Sequence, residues 1–120
     1  MAWIVNFYPD FEKEFNEFPN EVQDELLAKA LLLEEFGPKL GRPHVDTLKD
    51  SKHANMKELR FDANNGVWRV AFAFDPNRNA ILLIAGDKSG SSQSRFYRKL
   101  IKKADTRFYA HLSTLQSERG

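Results

Sequence analysis

The sequence predicts an α+β domain: a small, curved, mostly antiparallel sheet with two helices before it and one after it, in the order β-α-α-β-β-β-α. Three observations lead there. Four short apolar runs, most of them alternating with polar residues, read as strands. Three further segments repeat their apolar residues at helical spacing. The last three strands are separated only by short turn-rich segments, which join antiparallel neighbours. No repeat or linker divides the chain, so residues 1–120 read as one domain.

Trp3, Val5 and Phe7 alternate in the first strand, and Pro9 ends it. Asp10 is placed to cap a short helix with Phe11, Phe15 and Phe18 on one side. Asn20 is placed to cap a second helix, along which Val22, Leu26, Ala30, Leu33 and Phe36 recur until Gly37-Pro38 stops it. Residues 39–54 have no period, contain Gly41, Pro43 and two histidines, and read as an extended, partly basic loop. Met56–Phe61 and Val67–Phe74 then form a hairpin, with Gly66 expected to supply the positive φ of its turn. Asp75–Asn79 is a second turn and Ala80–Ala85 the third strand of this group. A polar stretch, Gly86–Ser94, is expected to be flexible. It leads to a final helix with Tyr97, Leu100, Ile101, Ala104, Phe108 and Leu112 as its apolar stripe.

Composition limits the function classes. Hydrophobic residues make up 42% of the 120 residues, enough for a packed core. Cysteine is absent, which removes disulfides, thiolate metal sites and a cysteine nucleophile. The longest apolar stretch is too short to cross a bilayer, and the N-terminus lacks the basic start of a signal peptide. A cytoplasmic location without a membrane partner is expected. The net charge of +1 hides a split, since residues 1–36 carry nine acids and two bases, and the remainder sixteen bases and eight acids. Such asymmetry suits an anionic partner, or else two oppositely charged surfaces that merely solvate the fold.

Strand alternation places the charges of the sheet. Leu59, Phe61, Trp68, Val70, Phe72 and Phe74 belong to the face that meets the helices. Glu58, Arg60 and Arg69 then project from the other face, which Ala71 and Ala73 should leave open and shallow. Lys88 can reach that face from the strand end, while Lys57 alternates toward the core side. Arg69, lying opposite the core, is expected to be dispensable for stability, and Trp68 is not. Arginines so placed suit bidentate phosphate contacts, and such a face can hold RNA. They equally suit ordinary cross-strand ion pairs with Glu58. The three histidines lack metal-ligand spacing, Asp87-Lys-Ser-Gly90 has the wrong glycine order for a phosphate loop, and no metal or cofactor is expected. Arg98, Lys99, Lys102 and Lys103 add positive charge on the last helix.

The strings Leu40-Gly-Arg-Pro43, Met56-Lys-Glu-Leu-Arg60 and Trp68-Arg-Val70, the strand before Lys88, and the ending Phe96-Tyr97, Leu100-Ile101, Ala104-Asp105, His111-Leu112 resemble the HigB-type branch of the RelE/ParE toxins, in its phage-derived form. The resemblance implies a RelE-like fold and the toxin of a type II toxin–antitoxin pair. It also implies an endoribonuclease that cleaves messenger RNA on the ribosome without metal. The family's basic residues would fall on Arg60, Arg69 and Lys88, and on Lys57 as an RNA contact; beside them Glu58 is a catalytic candidate, either as base or as the group that orients Arg60, and Arg42 and Lys99 are candidate RNA contacts. The partners implied are mRNA, the ribosome and a helix-turn-helix antitoxin of HigA type. Many HigB-like relatives carry a second basic or aromatic residue after the position of Lys88, where this chain has Ser89-Gly-Ser-Ser92. Two other readings stand on the same scaffold: a non-enzymatic ParE-like gyrase inhibitor, and an RNA-binding accessory protein.

Overall fold

A computed structural model describes residues 2–119. The chain runs through β1 (Ile4–Phe7), α1 (Pro9–Asn16), α2 (Asn20–Phe36), a 3-10 turn (Gly37–Lys39), β2 (Val45–Thr47), β3 (Lys57–Ala63), β4 (Gly66–Phe74), β5 (Asn79–Asp87) and α3 (Gln93–Arg119). The strands form one sheet in the order β1-β5-β4-β3-β2, with β1 parallel to β5 and every other pair antiparallel. This is the α+β architecture expected, with one strand more. The segment 39–54, read as a loop, contains β2, whose three residues pair with Thr47 opposite Lys57 and Val45 opposite Leu59. A strand this short cannot show a period.

The sheet is a middle layer. On one face Leu59, Phe61, Val70 and Phe72 pack with Phe11, Phe15, Val22, Leu26 and Leu33 of α1 and α2. Phe36, expected in the stripe of α2, lies exposed at its end. The opposite face is not open. Ala71, Ala73, Ile81 and Leu83 are buried there beneath Leu100, Ile101, Ala104 and Phe108 of α3. The two alanines do not make a shallow surface; their small side chains let the helix approach. Arg107 of α3 is buried, donates to the Leu83 carbonyl at 2.8 Å and grips both carboxylate oxygens of Glu14 in α1, so it ties the two helical layers together. Glu14 is therefore not part of a purely solvated acidic cover.

Local chemistry differs from expectation at the caps and turns. α1 starts at Pro9 and α2 follows Pro19, and neither Asp10 nor Asn20 makes a side-chain cap bond. Proline's fixed φ and missing N–H suit these first turns without a cap. In the β3–β4 hairpin Ala63 pairs with Gly66, and the positive φ values fall on Asn64 (52°) and Asn65 (61°). That is the signature of a two-residue turn whose twist matches the strands. Gly66 is small for another reason: a Cβ there would stand 2.6 Å from Asp87 Oδ2. In the β4–β5 turn Asp75 Oδ1 accepts from the backbone N–H groups of Asn77 and Asn79, both at 2.9 Å.

Candidate functional site

α3 packs chiefly on β5 and β4, so the β3–β2 side of the same face stays uncovered. Residues 42–53 rise beyond it as a second wall. That wall is fastened to α3 by Asp105, which accepts from Ser51 Oγ at 2.5 Å and from the Lys52 backbone N–H at 3.0 Å. The ring of His53 also stands edge-on to Phe108, 5.0 Å between centroids. Between the walls runs a groove of about 1480 Å³, lined from β3 by Arg60 and the buried Glu58, with Lys88 and Tyr97 at one end. Seven Lys or Arg side chains line it against four carboxylates, so its field is positive.

The register of β3 and β4 explains the centre of the site. Arg60 and Arg69 are direct cross-strand partners. Two cations opposite each other repel unless an anion lies beside them. Glu58, two residues before Arg60 on the same face, supplies it: Arg69 Nε lies 3.7 Å from Oε1 and Arg60 Nε 3.9 Å from Oε2. Glu58 and Arg69 are both buried, at 5% and 6% exposure, whereas Arg60 is half-buried at the groove. Arg69 also donates to the Tyr97 hydroxyl at 3.3 Å and to the Trp68 carbonyl at 2.9 Å. Arg69 is thus no free projection from an open sheet but a buried member of an ionic cluster. The ground for expecting its removal to leave stability untouched, an open face opposite the core, is absent.

Burial raises the pKa of the Glu58 carboxyl; the Tyr97 hydroxyl and the charges of Arg69 and Arg60 oppose that rise without cancelling it. Glu58 Oε1 is buried without a hydrogen-bond partner. Lys88 moves the other way: burial lowers its pKa, and the neighbouring Arg69 and Arg60 charges lower it further. Its Nζ stands 5.8 Å from the centre of the Tyr97 ring. The backbone that carries it is fixed, because the Lys88 N–H donates to Val67 O at 2.8 Å. Asp87 Oδ1 meanwhile accepts from Val67 N–H, Ser89 N–H and Ser89 Oγ. The stretch expected to be flexible therefore begins as two residues of β5, is tethered through Asp87 and ends in the first turn of α3, where Ser92 Oγ accepts the Arg95 N–H at 3.2 Å.

The structure brings Glu58, Arg60, Arg69 and Lys88 together. Arg42 reaches the groove rim, where Asp46 engages its guanidinium at 2.9 and 3.2 Å. Backbone donation from Thr47, then the Arg42 contact, holds the Asp46 carboxyl below its usual range. Lys57 and Lys99 do not line the groove: Lys57 shares the strand face of Leu59, and Lys99 is exposed elsewhere on α3. Lys49, Lys52, Arg98 and Lys102 stand in the groove instead. Tyr97 is the site residue that sequence reading missed, because its spacing also fits the apolar stripe of α3. Among the described residues no group of three or more His, Asp or Glu is placed to hold a metal ion, and no helix is long and apolar enough to cross a membrane.

Residues 13–109 match the family described as phage derived protein Gp49-like (DUF891). Two proteins of Mycobacterium tuberculosis (strain ATCC 25618 / H37Rv), which carry the names toxin HigB2 and toxin HigB3, are similar to this chain. The first is 43% identical over 102 residues, covering 84% of this chain and 50% of its own length. The second is 44% identical over 107 residues, covering 89% of this chain and 90% of its own. The chain thus spans half the length of one relative and nine-tenths of the other. Among solved structures, a mutant of E. coli toxin RelE in the free state superposes with a TM-score of 0.60 over 86% of this chain and 97% of that one. At 13% identity that likeness shows the fold alone.

Proposed function

The chain belongs to the phage-derived Gp49-like family and is similar to proteins named HigB, and on that premise we propose that it is a HigB-type toxin of the RelE/ParE kind, an endoribonuclease that cleaves messenger RNA on the ribosome and so arrests translation and growth. The observation that carries the reading is the Glu58–Arg60–Arg69–Lys88–Tyr97 cluster at one end of a cationic groove. In this reaction an RNA 2′-oxygen attacks its own adjacent phosphorus. The new O–P bond forms as the bond to the 5′-oxygen breaks, leaving a cyclic phosphate and a free 5′-hydroxyl. Arg60 holds the phosphate, and Arg69 reinforces the charge around it from below. The Glu58 carboxylate takes the 2′-hydroxyl proton, a role that a raised pKa favours at neutral pH. The Lys88 ammonium, made more acidic by burial and two arginines, gives its proton to the leaving 5′-oxygen. These cations do the electrostatic work that a metal does elsewhere, so the reading needs no cofactor.

A positive groove must be shielded in the cell that makes it, and an antitoxin of the helix-turn-helix, HigA-like kind is the partner this reading implies. Its inhibitory segment covers the groove rather than the acidic α1–α2 layer, where like charge opposes an acidic segment. The test is expression of the chain alone, with intact mRNA and DNA supercoiling followed together. Growth arrest with mRNA cleavage that Arg60→Ala abolishes supports the nuclease. Arrest with intact mRNA and altered supercoiling refutes it in favour of a gyrase inhibitor, and normal growth at high soluble expression refutes any active toxin.

A further inference from the structure

The end of the groove away from Glu58 has its own composition. Tyr109 of α3 is 68% exposed and lines it, one of the few large apolar side chains left on the surface. It follows Arg98, Lys102 and Thr106 along the same flank of the helix, at spacings of three and four residues. Lys49 and Lys52, with Asp50 between them, face them from the other wall, so cations still outnumber free carboxylates there. The carboxylate nearest in sequence, Asp105, is already engaged by Ser51 and Lys52, so it contributes structure there rather than a free negative surface. Nothing in the cluster at Glu58 uses these residues.

Resting on the nuclease reading above, we propose that Tyr109 is a stacking platform for one base of the bound single-stranded RNA, with Lys102 and Lys52 holding the phosphates on either side of it. An exposed aromatic ring bordered by cations suits single-stranded nucleic acid, because every base offers a π-face and every linkage a charge. A protein segment is the less suitable occupant: it brings neither the regular phosphates for four cations nor a planar ring at each residue. Tyr97 and Tyr109 are twelve residues apart on one helix, about 18 Å along its axis. That span corresponds to about five nucleotides of stacked strand, fewer if the strand is extended. Tyr109 therefore positions substrate at a distance and does not touch the reacting phosphate.

The experiment uses the full chain and a fluorescent 2′-O-methyl oligoribonucleotide of about ten nucleotides, which occupies the groove but lacks the attacking hydroxyl. Tyr109→Ala is expected to raise its dissociation constant about tenfold, while Tyr109→Phe leaves it unchanged. All three proteins should melt together, since the side chain is exposed. Equal affinity of wild type and Tyr109→Ala for the oligomer overturns the proposal. So does a wild type that does not bind it, or a Tyr109→Ala protein that loses only affinity for the antitoxin. Cleavage of mRNA in a translating extract is scored separately. Its absence in wild type refutes the nuclease reading, whereas the binding comparison judges the stacking subsite by itself.

Discussion

Arg69→Met removes the buried cation and keeps most of the apolar stem. It leaves Glu58 at 5% exposure, with one oxygen already lacking a hydrogen-bond donor and Arg60 as the remaining cation, 3.9 Å from the other oxygen. Two unit charges about 4 Å apart attract by about 4 kcal/mol at an effective dielectric constant of 20. Breaking one side of a buried pair costs about 3–5 kcal/mol, because the surviving charge stays desolvated. The expected loss at pH 7 is therefore about 3 kcal/mol, at the lower end since Arg60 and Tyr97 still help. With a urea slope of about 1.5 kcal/mol per molar, the midpoint falls by roughly 2 M.

The assay is a double-mutant cycle at two pH values. Glu58→Gln placed in the Arg69→Met protein removes the stranded charge and should recover most of the loss, giving a coupling energy of about 2 kcal/mol. The pH dependence has a definite sign. A carboxyl whose folded pKa is raised holds more protons folded than unfolded, so it destabilises the fold as pH rises from about 4.5 through the folded value. Arg69→Met raises that value further. Its penalty should be larger at pH 7 than at pH 4.5 and shrink as the pH falls toward 4.5. A midpoint within error of wild type at pH 7, or zero coupling to Glu58, refutes the buried-cluster account and restores Arg69 as a free surface cation.

Two further perturbations test the frame that holds the site. Arg107→Ala removes the grip on Glu14 and the donor to Leu83 O, and should cost about 2–4 kcal/mol in urea unfolding; Glu14→Gln should cost less, since Glu14 is partly exposed and can return to water. Gly37→Ala sets a Cβ 2.2 Å from Trp3 Nε1 at a φ of 57°, and a loss of about 2–3 kcal/mol in the same assay is expected from overpacking and strain.

The fold was legible wherever periodicity had room to show. Val22, Leu26, Ala30 and Leu33 on α2, and Leu100, Ile101, Ala104 and Phe108 on α3, were readable as buried stripes because each runs for several turns. β2 was not, since three residues make no pattern and its pairing with β3 is a tertiary fact. The sequence points to Gly66 for the positive φ because glycine is its commoner source, whereas the turn places it on Asn64 and Asn65, since asparagine also tolerates that conformation. The covered second face did leave a signal. Ala80–Leu83 has no polar member, and all four residues are buried. A strand without a polar side is buried on both faces, so some element had to cover the alanines of β4.

The candidate site was half legible for the same reason. Alternation alone groups Glu58, Arg60 and Arg69, because parity fixes which face a strand residue takes and the hairpin sets their register. It says nothing about depth. Depth depends on where α3 crosses the sheet, and α3 covers β5 and β4 but leaves β3 at its edge. Arg69, on β4, is consequently buried under Tyr97, while its partner Arg60 on β3 remains at the groove. One line of cross-strand partners is thus divided into a buried arginine and a groove-facing one. The same crossing angle decides which residues of α3 line the groove. Lys102 and Tyr109 face it, whereas Lys99, in the same basic cluster of the sequence, does not. Charge counting along the helix cannot separate them; packing of the apolar stripe does, because once Leu100, Ile101, Ala104 and Phe108 are seated the rotation of every other side chain about the axis is fixed.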